Sequence, residues 1–440
     1  MKAALDLWLL LRRRSSSDSD PHRLTGGLAI LAFAVTTAVV LVVVGGFLAF
    51  AARAEAPAAD DSAGFYVLLA GTASVLLLVP LATLGGAAAR LAVARRDARL
   101  AALRLAGATT AQVSTITILD ATVQALAGAV IGAAGMFALV PLVVPIEFQG
   151  RAFTYGELLP PWWAYLATIG AVTAVALVSA GASLRKVAIT PLGVAARTSP
   201  NPLHWSRVVP ILAFAAVFAV LWNTGMGQIL VLILLVAGGF AMMNAIGPWV
   251  MSLVGKLSGR RAKTAAQLIA ARRIIDAPKT AWRSVGGVAL ATFIAGMTAA
   301  VALFSSAGAV DQEEAQLFTD MATGGFLTLA IAGVVAAVST GVMQAGGVID
   351  RRNEYRALSL AGTDLRVLDE ARLRETAVPL VAAVALATGS ALVFLLPALG
   401  MAVVTSSAVG LQFALSVLGA CALVLAGSFA SRRVVRMVLA

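Results

Sequence analysis

Residues 95–109 read R-R-D-A-R-L-A-A-L-R-L-A-G-A-T, and residues 351–364 read R-R-N-E-Y-R-A-L-S-L-A-G-T-D. Inside them, A-A-L-R-L-A-G-A at 101–108 falls on R-A-L-S-L-A-G-T at 356–363, a spacing of 255, and Asp120 meets Glu375 at the same spacing. A second block repeats at a spacing of 260. There Arg12, Arg13, Arg23, Gly26 and Gly27 fall on Arg272, Arg273, Arg283, Gly286 and Gly287 without a gap. Each block lies where an apolar run meets charge. Two such matches mean two copies of one membrane unit, and a duplicated unit builds a cleft about its own pseudo-twofold axis.

The chain is 60% hydrophobic and 12% charged, with a mean hydropathy of +0.93. No water-soluble globular domain has that balance. Apolar runs of about 20 residues cross the hydrocarbon core as helices, because backbone groups in lipid must be satisfied within the segment. The expected class is an all-α polytopic membrane protein. Ten spans are read at 25–51, 66–93, 113–144, 162–184, 208–222, 228–254, 284–305, 321–348, 373–396 and 404–430. The second, third and eighth are long enough to tilt or to project as stalks. The fifth is short and meets the sixth across W-N-T-G-M-G, so the two form a tight hairpin or a re-entrant pair.

Segments 1–24, 94–112, 185–207, 255–283 and 349–372 and the tail after 431 hold almost all Lys and Arg. The opposite loops hold only Arg53 and Arg151, with Glu55, Asp60, Asp61, Glu147, Glu157, Asp311, Glu313, Glu314 and Asp320. The positive-inside rule puts both termini in the cytoplasm. The net charge of +12 is then a topology signal and not a nucleic-acid surface. Residues 1–14 read as an amphipathic helix on the inner surface, with Trp8 at the interface. With one cysteine (Cys421) and two histidines (His22, His204), a His/Cys metal site is excluded. The G-K-L-S-G at 255–259 lacks the upstream glycine and the Ser/Thr of a phosphate-binding loop. No catalytic motif is found, and no extramembrane stretch exceeds about 30 residues, so the chain is expected not to be an enzyme.

Each leading block therefore reads as a basic anchor, an amphipathic stalk and a stop at glycine, Gly107 or Gly362. Glycine permits a left-handed helix end, and Thr109 or Asp364 can cap the helix that follows. Such a turn is something a soluble partner can push against; the rival reading is a plain membrane-boundary turn. Asp120 and Glu375 lie thirteen residues beyond those glycines, in the third and ninth helices. A carboxylate there must pair or lose its charge. Arg104 and Arg372 are the candidate partners. A pair that transmits motion, a static pair and a proton relay all remain open. Gly128 and Gly132 in the third span form a G-x-x-x-G pair, read as helix packing. Pro160, Pro161, Trp162, Trp163 and Tyr165 read as an aromatic belt. The acidic group Asp311, Glu313, Glu314 and Asp320 reads as a solvated loop.

The R-R-N-E-Y-R-A-L-S-L-A-G-T block followed by Glu375 resembles the FtsX-like permease family, whose members include the MacB-type, or type VII, ABC transporter permeases. Glu354, Gly362 and Glu375 match its pattern. In the first copy Gly107 and Asp120 match, while Arg99 stands at the first acidic position. Residues 184–197, L-R-K-V-A-I-T-P-L-G-V-A-A-R, look like the tail after the family's fourth helix; the second copy ends without that proline. Four helices, two linking helices and four more are similar to the permeases of bacitracin-export type. Those carry a large external domain where this chain has only the short loop 306–320.

The resemblance implies an N-terminal amphipathic cytoplasmic segment at 1–24, a first FtsX-like four-helix repeat at 25–197, a linking helix pair at 198–254 and a second repeat at 255–440. It implies the permease subunit of an ATP-driven transporter in the bacterial plasma membrane, with no cofactor of its own. ATP and Mg would be held by two copies of a separate ABC ATPase. Arg95, Arg96, Arg104, Gly107, Arg351, Arg352, Glu354 and Gly362 are the residues implied for coupling to that ATPase, with Asp120 and Glu375 as the carboxylates at the helix starts. The implied cargo is amphipathic or lipophilic (an antimicrobial peptide, a drug or a lipid), moved outward as in antibiotic resistance. The alternative is a non-transporting ABC-type regulator whose partner is a sensor kinase. A secondary transporter fits less well, because midplane charges are missing.

Overall fold

The structure is a computed structural model and describes residues 21–56, 62–94, 109–189, 229–306, 312–350, 354, 357–358, 360–399 and 406–439. Their order is α1 (Pro21–Ala54), α2 (Ala63–Ala94), α3 (Thr110–Val143), β1 (Glu147–Phe148), β2 (Arg151–Ala152), α4 (Trp162–Ile189), α5 (Ile229–Arg260), α6 (Ala265–Asp276), α7 (Pro278–Ser306), α8 (Gln312–Asp350), α9 (Leu365–Leu399) and α10 (Ser407–Leu439). The expected fifth span at 208–222 lies outside the described residues. Seven helices among those described are long and apolar enough to cross a membrane: α1 to α4, α8, α9 and α10. The expected spans at 228–254 and 284–305 fall on α5 and α7. The protein is thus an all-α polytopic membrane protein. Among the described residues the departure from helix is the β1–β2 hairpin, which the helix-only reading did not foresee.

Helices α1 to α4 and α7 to α10 each pack among themselves, and the two groups meet chiefly along α2 and α8, with α1 on α8 and α2 on α7 alongside. In lipid there is little hydrophobic drive between helices, so close approach relies on small residues. The pair at 128 and 132 serves that end. A Cβ at Gly128 would lie 2.5 Å from Phe33 Cβ and 2.7 Å from Ile30 O, and one at Gly132 would strike Ala34 O, so α3 rests on the backbone of α1. In the other group the close crossing is α8 on α10, where a Cβ at Gly341 would come within 3.1 Å of Gly427 O. Phe33, Leu77, Leu84, Val285, Leu290 and Phe293 fill the shared core. Along the seam between groups, Leu91 covers Gly346, and these two positions are again 255 apart.

Helix α5 packs against α6, α7 and α9. Trp282 Nε1 donates to Asn244 Oδ1 at 3.0 Å, and the Trp282 ring lies over Gly247. The boundary expected between 254 and 255 falls inside α5, which continues to Arg260.

Candidate functional site

The turn before α9 is built as its residues require. Gly362 has φ +87°, the left-handed conformation that side chains resist. Thr363 N donates to Leu358 O at 3.0 Å, closing the helix end across the glycine. Asp364 then caps α9, its Oδ1 accepting from Arg366 N at 2.9 Å. At the equivalent place Thr109 caps α3 through a capping box with Gln112, with Gln112 N donating to Thr109 Oγ1 at 3.3 Å and Thr109 N to Gln112 Oε1 at 3.0 Å. Asp120 and Glu375 are each the eleventh residue of their helices, half-buried three turns in.

The partner of Glu375 comes from α6. Arg273 Nη1 donates to Glu375 Oε2 at 3.2 Å, and Arg273 Nη2 to Glu354 Oε1 at 2.9 Å. One guanidinium therefore joins the segment before the Gly362 turn to the helix after it. Arg273 is 8% exposed. A buried cation of this kind persists only when its charge is met. Helix α6 is placed to deliver it: Thr264 and Gln267 form a capping box, and Ala270, Ala271 and Ile274 are buried on one face. Arg372, the partner expected from the sequence, is also buried and reaches α8, where its Nη2 donates to Gln344 Oε1 at 3.4 Å. Gln344 Nε2 donates in turn to Thr376 Oγ1. A cavity of about 110 Å³ opens among Arg273, Thr280, Ser284, Gln344, Arg372 and Glu375. That is room for a few waters rather than for a drug-sized ligand.

A second polar centre lies at the opposite end of the bundle. Arg53, 5% exposed at the end of α1, donates to Phe148 O, Ala152 O and Glu157 Oε2, each at 3.1 Å. Its guanidinium lies 4.3 Å from the centre of the Phe153 ring. Burial pushes the Glu157 carboxyl up, but the Thr154 N–H and Arg53 outweigh it and hold the group below its ordinary value. Gln149 (φ +57°) and Gly150 (φ +70°) make the two-residue turn of the hairpin. Beside it, Asp320 on α8 is 3% exposed and accepts from Tyr66 Oη at 2.8 Å, Gln149 N at 2.7 Å and Gln316 Nε2 at 2.9 Å. Asp320 is therefore no part of a solvated loop, a correction forced by three donors that converge on its carboxylate. Glu313 is exposed, as expected; Asp311 lies outside the described residues.

Residues 71–192 match the family described as FtsX-like permease C-terminal. The chain carries an FtsX-like permease domain. No curated protein matches the sequence. The matched FtsX-like domain spans most of α2, then α3, the hairpin and α4, and includes Thr109 and Asp120. FtsX-like permeases are membrane components that typically work with an ABC ATPase partner and are not themselves P-loop ATPases. In bacteria such a multi-pass protein resides in the plasma membrane.

Of the residues expected to couple the chain to a partner, Arg95, Arg96, Arg104, Gly107, Arg351 and Arg352 lie outside the described residues. Glu354 and Gly362 come together around one turn, and Glu375 joins them through Arg273. Sequence reasoning missed Arg273 as a site residue, although it lay within the block that repeats at 260. That repeat marks Arg272, Arg273 and Arg283 alike, and the approach of Arg273 to two carboxylates is visible only in the structure.

Proposed function

We propose that the chain is the permease subunit of an ATP-driven ABC transporter, with its two four-helix units standing in for the two permeases of a homodimeric relative. What supports the duplication is the seam. Leu91 meets Gly346, its own repeat equivalent, as expected only where a twofold axis runs. The α1–α8 and α2–α7 contacts are likewise mates under that operation. Two copies of a separate ATPase would dock at the basic end, holding ATP and Mg, so this chain needs no cofactor. With both termini cytoplasmic, the Gly107 and Gly362 turns, flanked by Arg95, Arg96, Arg104, Arg351 and Arg352, would receive the push.

The observation that carries this reading is the Arg273 junction. A push on the Gly362 turn meets Glu354 before it and Glu375 beyond it, both held by one side chain. The turn cannot move without moving α9 and, through Gln344 and Arg372, the stalk α8. Separation of α2 and α8 would then open a cleft with apolar walls, suited to an amphipathic or lipophilic cargo taken from the bilayer and exported. The test is the double variant Gly107→Val and Gly362→Val, with ATP turnover and efflux measured together in proteoliposomes. Turnover without efflux supports coupling through the turns, whereas normal efflux rules it out. A regulator that moves a sensor kinase, bound through its helices, instead of cargo remains the second reading; kinase output that follows ATP turnover without any transported compound would select it.

A further inference from the structure

We infer that Asp320 is the catch of an interlock that holds the two four-helix units together at the hairpin end and must release when α2 and α8 part. Its carboxylate ties three elements, drawn from both units, to a single side chain. Tyr66 belongs to the start of α2, Gln149 to the hairpin turn, and Asp320 with Gln316 to the first turns of α8. The first two donors come from one unit and the acceptor from the other. Each bond to a carboxylate is stronger than a neutral one, and burial of Asp320 and Tyr66 keeps water from replacing it.

The hairpin is shaped for this contact. Gln149 adopts a left-handed φ that a side-chain-bearing residue resists, and in that conformation its N–H meets Asp320 Oδ2. The hairpin is itself fixed to α1 through Arg53, so the catch closes against a rigid seat. Among the described residues, its counterpart at the far end of the same seam is the apolar contact of Leu91 on Gly346. The hairpin end of the seam is thus latched by hydrogen bonds to one carboxylate, which gives its opening a discrete switch. The inference rests on the transporter reading only for the motion it restrains.

The experiment uses the full chain alone in lipid nanodiscs, with Cys421→Ala and spin labels at Ser62→Cys and Glu313→Cys, exposed positions flanking the catch. Pulsed EPR reports the distance between the start of α2 and the start of α8. The parent should give one short population. Asp320→Asn should shift the ratio of long to short distances by about tenfold, the scale of one hydrogen bond to a charged group. Tyr66→Phe, which removes only a hydroxyl, should shift it the same way by less. It settles the matter if Asp320→Asn does not yield a monodisperse protein. Distance distributions unchanged in both variants would overturn the interlock. Because no ATPase is present, failure to bind an ATPase would sink the transporter reading and leave this result standing.

Discussion

Two buried arginines sit at opposite ends of this bundle, and their partners differ in kind. Arg53 is held by two main-chain carbonyls and one carboxylate, all within residues 148–157. Arg273 is held by two carboxylates on either side of a helix end, one of them half-exposed. Carbonyls of a hairpin cannot move away singly, so Arg53 welds α1 to one loop. Side-chain carboxylates on separate segments can trade places, so Arg273 makes a joint. The same residue type therefore serves as a fixture at one end and as a hinge pin at the other, and the difference lies in the acceptors.

The comparison breaks most visibly at the fixture. Arg53→Ala leaves Glu157 half-buried with the longer contact to Arg151 and takes the Arg53 donors from two carbonyls, at a cost of about 3–5 kcal/mol. It should lower the thermal unfolding midpoint by well over any variant at the other end. At the joint, Arg273→Gln should spare the fold and instead cut partner-stimulated ATP turnover by roughly tenfold, a coupling loss near 1.4 kcal/mol. Equal loss of stability in the two variants would erase the distinction. Gly362→Val sharpens it: a β-branched residue at φ +87° carries about 1–2 kcal/mol of strain, read as a lower unfolding midpoint, while Gly389→Ala in α9, with open space around it, should change little.

The smallest effect is one of pH. Because the Glu157 carboxyl is held below its ordinary value in the folded protein, its contribution is complete above the usual carboxylate range of about 4.3. It is lost as pH falls from there through the lowered native value. Glu157→Gln should lower stability at neutral pH, where that contribution is fully present, and flatten the acid limb, so that parent and variant converge as pH falls. A parent and variant with superimposable acid limbs would show that Arg53 is anchored by the carbonyls alone.

Much of the fold was legible because the signals are local. Hydropathy located the helices, Thr109 and Asp364 announced their caps, Gly362 announced its turn, and the 128/132 pair announced a crossing. The polar centres were not legible, because they depend on tertiary approach. Arg53 and Glu157 looked like ordinary loop charges until the hairpin brought them together. Asp320 looked like part of an acidic loop because its neighbours Glu313 and Glu314 are acidic, whereas two of its three donors are 171 and 254 positions away. For Asp120 and Glu375 the sequence offered Arg104 and Arg372 as candidates and did not show Arg273, which reaches Glu375 from α6. The repeat did not give the pairing, since Arg99 stands where the second copy has Glu354.

The duplicated permease working on an ATPase pair is the central claim, and subunit stoichiometry tests it most directly. Native mass spectrometry of the chain purified from lipid with its ATPase should give one copy of the chain with two copies of the ATPase. Two copies of the chain per ATPase dimer would contradict the duplication. No ATPase at all, with transport driven by an ion gradient, would contradict the whole account.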